Sequence, residues 1–376
     1  MICQLGYNLV MNIVILNWRD LKNPDAGGAE QLTHEMAKRW VVLGHSVTQL
    51  SAGFKSGNKQ ETIDGVSIIR MGRWCSVHFL AGIYYILHLR KFADIVVDEV
   101  HWFPFFSILY APRKTILLAC EVAESLFSQV LPFPLDRLGQ MLERFYLWLY
   151  RHVQTLAISP STKHDLISKG FDKALITVLP MGLTIPDNFK LEVKETRLTL
   201  AYLGRINIQK GAFDVVETLK LVIKTIPDIQ LWFIGKGEKT VVNKLKHEVD
   251  NSGLSNNIKF FGYVEDSKKF RLLSKAHLLI VSSIHEGWGL TIPEAGFVGT
   301  PAIVYRSAGL KDVVKDEVSG LVVEQTPFHM ADAIERVLQD KDLLIKLRKN
   351  AKGIAQEYSW DNTAQVALKK FETMIH

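Results

Sequence analysis

The sequence has few cysteines, and their positions indicate no common role. Cys3, Cys75 and Cys120 are the three cysteines of 376 residues, and they follow no CxxC or other metal-ligand spacing. An odd and sparse set of cysteines is typical of proteins in a reducing compartment. The sequence therefore argues against a disulfide framework and predicts a cytoplasmic protein.

A long apolar run is also missing. The best candidate, residues 74–89, contains His78 and His88 and is shorter than the roughly 20 residues that a membrane-spanning helix needs. The opening residues, MICQLGYNLV, lack the basic start of a cleavable signal peptide. We therefore expect neither a membrane-spanning helix nor a cleavable signal peptide. Residues 1–10 are interpreted as an extension or a misplaced start before the first strand.

Charge of one sign is not in large excess. The formal net charge is +6, with 22% charged and 48% hydrophobic residues. This balance is that of a globular protein and excludes wholesale disorder. Because the positive excess is modest for this length, we expect no nucleic-acid partner.

Local charge is more informative. Arg70, Arg73, Arg90 and Lys91 flank the apolar residues 74–89. The favoured interpretation is a buried helix with solvated ends. The alternative is an exposed apolar face with a basic rim, which would suit an anionic membrane surface.

Two common ligand signatures are absent. The loop at residues 24–30 has paired glycines, Gly27 and Gly28, but not GxGxxG, so a standard dinucleotide site is disfavoured. No DxD-type metal motif occurs in a suitable context, and residues 94–99 are interpreted as a strand and its end. We therefore expect neither a bound metal nor a resident cofactor.

Short β-rich apolar runs alternate with helical patterns along the whole chain. This alternation is typical of βαβ units and parallel sheets. The length exceeds one typical core, and a polar stretch at residues 188–196 separates two such series. We predict an α/β fold of two Rossmann-like domains that face each other across a cleft. Ligands should then bind outside the carboxyl ends of both sheets.

One predicted helix carries a pronounced apolar stripe. The stripe consists of Leu135, Leu138, Leu142, Phe145 and Leu149, and it is thickened by Tyr146, Trp148 and Tyr150. Its spacing predicts packing in the core or between domains, and the alternative is a surface for a membrane or a lipid acceptor.

The most informative stretch is EGWGLTIPE, residues 286–294. Glycines allow close approach of backbone amides to a ligand. The start of a following helix favours a phosphate, and carboxylates accept hydrogen bonds from sugar hydroxyls. The alternative needs no ligand, because Thr291 and Glu294 have the spacing of a capping box.

A second loop, residues 204–211, follows the first strand of the second half. Its Arg205 and Lys210 suit a diphosphate, since arginine binds phosphate as a fork and lysine as a point charge. The alternative is a solvated basic loop. The turn at residues 235–238 gives a weaker signal of the same kind.

In this order and context the loops resemble those of glycosyltransferase family 4, retaining sugar transferases of the GT-B fold. The resemblance covers nearly the whole chain and is carried chiefly by Glu286-x7-Glu294 and by Arg205 with Lys210. It extends to residues 261–264, 319–323 and 358–360. It implies domains at residues 1–190 and 191–357, with residues 358–376 crossing back to the N-terminal domain.

The resemblance implies a metal-independent transfer from a nucleoside-diphosphate sugar to a glycan or a lipid-linked saccharide, as in polysaccharide biosynthesis. The enzyme would work at the cytoplasmic face of a membrane. Arg205 and Lys210 would bind the donor diphosphate, Glu294 would bind the ribose, and Glu286 would lie beside the donor sugar. Val264 would lie near the base. The remaining donor contacts would come from Gly27, Gly28, Gly204, Gly287, Trp288, Gly289, Leu290 and Thr291.

The chain departs from the family at one position. Many relatives have a histidine near the donor sugar where this sequence has Cys120. A thiol cannot supply the same charge or hydrogen bonds at neutral pH. Either Glu121 or His101 compensates, or the acceptor chemistry differs. Cys120 keeps one rival function open, a non-catalytic subunit that binds the sugar nucleotide. The nearest enzymatic rival is a GT-B enzyme that does not transfer sugar, such as a sugar-nucleotide epimerase.

Overall fold

The computed structural model describes residues 10–123, 126–128 and 131–375. The chain forms two compact units, one made of Met1–Gly182 with Ser359–His376 and the other of Leu183–Tyr358. Both are α/β units with largely parallel sheets, which confirms the expected fold class. Among the described residues, no helix has the length and apolar character needed to cross a membrane.

The first unit contains a sheet in the order β3-β4-β2-β1-β5-β6-β7-β8. Its strands are β1 (Asn12–Leu16), β2 (Ser46–Ala52), β3 (Gln60–Ile63), β4 (Val66–Met71), β5 (Ile95–Val100), β6 (Thr115–Ala119), β7 (Thr155–Ala157) and β8 (Ile176–Val178). All neighbours are parallel except β3 and β4. The strand order reverses between β1 and β5, so the loops after these strands flank a switch point.

The antiparallel pair β3–β4 was not expected from the alternation. Asp64 and Gly65 connect the two strands, and both have positive φ angles of 49° and 82°. An Asp-Gly pair with positive φ is the preferred two-residue hairpin turn. The dipeptide Asp64-Gly65 was therefore the sequence signal for this hairpin, which the alternation of apolar runs and helical patterns does not reveal.

Within the part of the first unit that the structure describes, the longer helices before β8 lie between its strands in the sequence. They are α1 (Gly28–Val42), α2 (Val77–Tyr84), which a π-helical turn extends through Leu89, α3 (Leu135–Tyr150) and α4 (Pro160–Ser168). On α2 and its extension, Val77, Ala81 and Tyr85 are buried in the core, whereas Phe79 and Leu87 are about 70% exposed. One face of residues 74–89 is thus core and the opposite face is solvent.

The interpretation of Arg70 as a surface charge was wrong. Arg70 lies on β4 with its side chain 1% exposed, and its guanidinium is 2.7 Å from Asp20 Oδ2 and 2.9 Å from Glu61 Oε2. A buried guanidinium needs such partners. The exposed basic residues beside the apolar face are Arg73, Arg90 and Lys91.

The favoured interpretation of the α3 stripe was wrong for most of its leucines and for Phe145. Leu135, Leu138 and Phe145 are between 50% and 56% exposed. The core face contains Leu147 and the two tyrosines predicted beside the stripe, Tyr146 and Tyr150. Buried tyrosines require a partner for the hydroxyl, and the unit supplies one, because Tyr150 Oη donates to Asp98 Oδ2 at 2.5 Å.

The second unit contains a parallel sheet in the order β11-β10-β9-β12-β13-β14. Its strands are β9 (Thr199–Leu203), β10 (Gln230–Ile234), β11 (Ile258–Gly262), β12 (Leu278–Val281), β13 (Ala302–Tyr305) and β14 (Gly320–Val323). The order reverses between β9 and β12. Loops that follow these two strands therefore flank the position where doubly wound sheets bind ligands.

Helices cover both faces of this sheet. They are α5 (Ala212–Val222), α6 (Lys239–Asn251), α7 (Asp266–Lys275), α8 (Thr291–Phe297), α9 (Leu310–Val313), α10 (Pro327–Gln339) and α11 (Lys341–Ala355). Leu219, Leu231 and Ile334 are fully buried in its core, and each such side chain contributes about 1.5–3 kcal/mol to folding. This core fixes the strand ends that carry the loops.

The final helix, α12 (Trp360–Ile375), belongs to the first unit. Trp40 on α1 packs edge-on against Phe371, with ring centroids 5.1 Å apart, and Trp40 Nε1 donates to the Ala364 carbonyl at 3.0 Å. Trp40 and Phe371 are both fully buried. The contact joins residues that are more than 300 positions apart in the sequence.

Candidate functional site

Two loops of the second unit meet at its switch point, residues 204–211 after β9 and residues 282–290 after β12. The Ser282 hydroxyl donates to the Lys210 and Gly211 carbonyls at 3.0 and 2.9 Å, and the Ile284 amide donates to the Gln209 carbonyl at 3.0 Å. Gly211 has φ of +67°, and a Cβ there would lie 2.2 Å from the Ser282 carbonyl oxygen. The close contact therefore requires glycine.

This contact brings together two of the residues expected to act on the donor. Lys210 Nζ donates to Glu286 Oε2, and the two side chains are 30% and 21% exposed. The Lys210 amide also donates to Asn207 Oδ1 at 2.8 Å, which fixes the backbone of the lysine. Arg205 is on the same loop and is exposed to solvent. Its carbonyl accepts from Tyr202 Oη at 2.6 Å.

Neighbouring strand ends complete this edge of the sheet. Gly204 follows β9, and its carbonyl oxygen would lie 1.9 Å from a Cβ at Gly235. The Gly235 amide donates to the Gly262 carbonyl at 2.8 Å. Val264 is half-buried in the next loop. The loops after β9, β10 and β11 are therefore contiguous, with Val264 on the β11 side.

The glycine-rich segment leads from Glu286 into α8. Gly287 is half-buried, and Gly289 is buried with φ of +95°. Trp288 is buried and packs edge-on against Tyr358, with ring centroids 5.2 Å apart. The Trp288 side chain therefore contributes to packing, and a ligand could use only its backbone. Leu290 precedes the helix in a helical conformation.

The capping-box interpretation of Thr291 and Glu294 was wrong. A capping box needs threonine at the N-cap position, outside the helix. Here Thr291 is the first helical residue, Leu290 holds the N-cap position, and no side chain caps this helix end. The carboxylate of Glu294 consequently has another role.

Glu294 pairs with a residue that the sequence did not indicate. Lys269 Nζ on α7 is 2.8 Å from Glu294 Oε1 and 2.9 Å from Asp266 Oδ1. The Glu294 side chain is 9% exposed. Burial raises the pKa of Glu294, and the Lys269 ammonium opposes that shift. Lys269 is one of two adjacent lysines on an ordinary helix, so only the tertiary structure identifies its role.

The paired glycines lie in the first unit, apart from the residues above. Gly27 precedes α1, and its amide donates to Glu30 Oε2 at 2.7 Å. That amide is occupied within the first turn of its own helix. Gly28 is the first residue of α1 and is exposed. The role predicted for both glycines stays a prediction.

Cys120 also lies in the first unit, in a buried cluster with Glu99 and His101. Glu99 Oε1 is 2.9 Å from His101 Nε2 and 3.7 Å from Cys120 Sγ. Burial and the neighbouring carboxylates raise the pKa of the Cys120 thiol. Burial opposes protonation of His101, but the Glu99 carboxylate raises its pKa overall. The Glu99 carboxylate therefore favours the protonated form of His101.

Comparison with known proteins gives matches over most of the chain. The family model described as Glycosyl transferases group 1 matches residues 185–354, and the one described as Glycosyltransferase Family 4 matches residues 26–185. An uncharacterized glycosyltransferase of Methanocaldococcus jannaschii is 22% identical over 392 residues, which covers 96% of this chain and 98% of that protein. Several other curated glycosyltransferases match over less than half of their own length.

Solved structures agree with the fold. The sucrose-phosphate synthase of Thermosynechococcus elongatus superimposes with a TM-score of 0.79 at 19% identity, covering 96% of this chain and 98% of that one. HepE of Anabaena, in complex with UDP and glucose, gives a TM-score of 0.71 at 17% identity, covering 96% and 100%. At these low sequence identities, the similarity to the solved structures shows a shared fold and no more.

Proposed function

The chain belongs to the group 1 glycosyltransferases of glycosyltransferase family 4 and has the GT-B fold, and on this premise we propose a specific reaction. The enzyme transfers a sugar from a nucleoside-diphosphate sugar to a glycan or lipid-linked saccharide, as in polysaccharide biosynthesis. The anomeric configuration is retained, and no metal ion takes part.

The observation that carries this proposal is the contact between Lys210 and Glu286 at the switch point. As the sugar–phosphate bond breaks, negative charge accumulates on the departing diphosphate. Lys210 and Arg205 are on one loop and supply the positive charge that a metal ion would otherwise supply. Glu286 holds the Lys210 ammonium in place. The departing diphosphate carries more negative charge than the Glu286 carboxylate and competes with it for this ammonium.

Glu294 is assigned to the ribose of the donor. Its Oε1 pairs with Lys269, and Oε2 is the oxygen that we assign to the ribose hydroxyls. A carboxylate that accepts from two neighbouring hydroxyls binds them more strongly than a neutral acceptor does. Lys269 supports this role because a buried glutamate without a cation would take up a proton.

Retention is assigned to attack from the face that the diphosphate leaves. The bond between the anomeric carbon and the phosphate oxygen breaks, and a bond to the acceptor oxygen forms on the same face. The proton of the acceptor hydroxyl moves to the departing phosphate oxygen. This route needs no protein base, and Glu286 serves to position the lysine and the sugar.

The acceptor is assigned to the first unit. Phe79 and Leu87 beside α2 and Met141 and Phe145 on α3 are exposed apolar side chains. Phe103 contacts both helices. Its ring centroid lies 6.0 Å from that of His78 on α2 and 6.0 Å from that of Tyr146 on α3. With Arg73, Arg90 and Lys91 at its edge, this apolar surface suits an anionic membrane that carries a lipid-linked saccharide.

A donor screen tests the function. UDP-, GDP- and ADP-sugars are incubated with the enzyme and a membrane extract, beginning with UDP-sugars because HepE is known in complex with UDP. Release of the nucleoside diphosphate, a product with the donor's anomeric configuration, and unchanged turnover in a chelator are expected. An epimerised donor would favour the epimerase, and binding without turnover would favour the non-catalytic subunit.

A further inference from the structure

Outside the proposed donor contacts, one buried cluster combines three kinds of metal-ligand atom. The cluster consists of Glu99, His101 and Cys120, on and after the carboxyl ends of the adjacent strands β5 and β6. Its carboxylate oxygen, imidazole nitrogen and thiol sulfur all lie within 4.8 Å of one another. Such convergence in a part of the sheet beside a switch point is suited to ligand binding.

We propose that Glu99, His101 and Cys120 form a binding site for a thiophilic divalent cation, with Zn²⁺ as the expected ion. Zn²⁺ binds sulfur, nitrogen and oxygen ligands at about 2.0–2.3 Å in a tetrahedral arrangement, which places neighbouring ligand atoms roughly 3.3–3.7 Å apart. Glu99 Oε1 lies 2.9 Å from His101 Nε2 and 3.7 Å from Cys120 Sγ, and no two of the three ligand atoms are more than 4.8 Å apart, so side-chain movements are needed to bring them to this geometry. Three protein ligands leave the fourth position for water or another small ligand.

A second layer of hydrogen bonds orients the carboxylate. Asn17 Nδ2 donates to Glu99 Oε2 at 2.6 Å, and Thr33 Oγ1 donates to the same oxygen at 2.5 Å. Oε2 is thereby held, and Oε1 faces His101 and Cys120. Metal sites commonly fix their ligands through such outer hydrogen bonds.

Charge at the cluster also favours a cation. The carboxylates of Glu30 and Glu121 act on His101 and Cys120 in addition to that of Glu99. On binding the ion, Cys120 releases its thiol proton and a protonated His101 releases its imidazolium proton to solvent. The resulting carboxylate, thiolate and neutral imidazole together carry two negative charges, which a divalent ion neutralises. Buried charges are stable when they coordinate a metal. None of these three side chains is among the groups assigned above to the diphosphate or to the ribose.

The opposing interpretation is a hydrogen-bonded network around a buried glutamate, with no affinity for metal. The two are distinguished in a Cys3→Ser, Cys75→Ser protein, in which Cys120 is the remaining thiol of the sequence. After treatment with a chelator and its removal, the protein is titrated with Zn²⁺ by calorimetry. Co²⁺ is added in parallel, because cobalt bound to a thiolate gives a charge-transfer absorption band.

We expect one ion per chain, a cobalt–thiolate band and a rise in melting temperature with Zn²⁺. Adding Cys120→Ser should remove the band, and adding His101→Gln should weaken Zn²⁺ binding by at least tenfold. Thr33→Val, which alters only the outer hydrogen bond, should weaken it about 10–100-fold. The proposal is overturned if the protein shows no cobalt–thiolate band, or if Zn²⁺ binding is unchanged by both ligand substitutions. Circular dichroism checks that each variant is folded, and no step depends on enzymatic activity.

Discussion

Lys269 Nζ lies 2.8 Å from Glu294 Oε1, so the carboxylate assigned to the donor ribose forms a buried ion pair between α7 and α8. The Glu294 side chain is 9% exposed and that of Lys269 is 16% exposed. Removing Lys269 leaves the Glu294 carboxylate buried without this counter-charge, whereas removing Glu294 leaves Lys269 paired with Asp266. The ion pair therefore links the stability of the second unit to its proposed affinity for the donor.

Lys269→Met should weaken donor binding through Glu294. The variant should lose up to about 3 kcal/mol of unfolding free energy, at the lower end of the range for a broken buried pair. Glu294→Gln should weaken donor binding by about 1.5–3 kcal/mol, the scale of a charge-assisted hydrogen bond. In a Glu294→Gln background, Lys269→Met should have little further effect on donor affinity, as calorimetry would measure.

The neighbouring Lys268→Met is the matched control, because Lys268 is exposed. It should change neither stability nor donor affinity. Additive losses of donor affinity in the double variant would show that Lys269 does not act through Glu294.

As the pH is lowered, donor affinity should begin to fall at a higher pH than it would if Glu294 had the pKa of an ordinary glutamate. Burial raises the pKa of Glu294, so the group takes up a proton early as the pH falls and then loses its charge as an acceptor. Lys269 opposes the shift, so in Lys269→Met the fall should begin at a still higher pH. The unfolding free energy has the opposite dependence on pH. A raised carboxyl pKa stabilises the folded state at low pH, and this contribution is lost as the pH rises.

Binding of a UDP-sugar between neutral and acidic pH provides the measurement. Both phosphates of such a donor are esterified, so its own charge does not change in this range. Identical pH profiles for the wild type and Lys269→Met would exclude Glu294 as the titrating group.

Arg205→Ala should reduce turnover by about two to three orders of magnitude, as expected for loss of one preorganised donor to the departing diphosphate. Because Arg205 is an exposed loop residue, the unfolding free energy should change by no more than about 0.5 kcal/mol. The control is Lys244→Ala, an exposed cation on α6. Near-normal turnover of Arg205→Ala, in steady-state assays at saturating donor, would remove this residue from the mechanism.

Replacing Arg73, Arg90 and Lys91 by Gln should weaken binding to anionic liposomes. Each basic residue near such a surface contributes about 1 kcal/mol, and salt screens the attraction. The affinity of the triple variant for anionic liposomes, measured by co-sedimentation at low salt, should therefore fall about 100-fold, because each of the three residues contributes about 1 kcal/mol. Its affinity for the donor should stay unchanged. Arg70 is left intact because its substitution would leave the buried Asp20 without the guanidinium that pairs with it.

The matched control replaces three exposed lysines of the second unit, Lys239, Lys244 and Lys349, by Gln. It makes the same change in net charge elsewhere. Equal losses in the two triple variants, or no binding of the wild type to anionic liposomes, would favour a soluble acceptor.

Local patterns in the sequence predicted the α/β fold and the main loops of the second unit. The predicted alternation of β-rich apolar runs with helical patterns matches the observed succession of strands and helices, because each such element depends on residues close in sequence. Lys210 and Glu286 were both identified, since each lies in a recognisable loop. Their mutual contact depends on the order of β9 and β12 in the sheet, which sequence spacing does not encode.

Other features depend on partners that are distant in sequence. Arg70 is buried because Asp20, 50 positions away, binds its guanidinium. Lys269 contacts Glu294 because α7 packs against α8. The exposed stripe on α3 has the same helical spacing as a core stripe. The partners available to the opposite face, such as Asp98 for Tyr150, decide which stripe is buried.

The return of α12 to the first unit has a consequence for how the protein folds during its synthesis. Residues 359–376 follow the second unit in the sequence, so Trp40 lacks Phe371 and the Ala364 carbonyl until the whole of that unit has been synthesised. Until then the first unit has an apolar surface at Trp40 that α12 later covers. The second unit, made from one continuous segment, has all its residues available earlier. The N-terminal half of the chain is thus the half that completes its structure last.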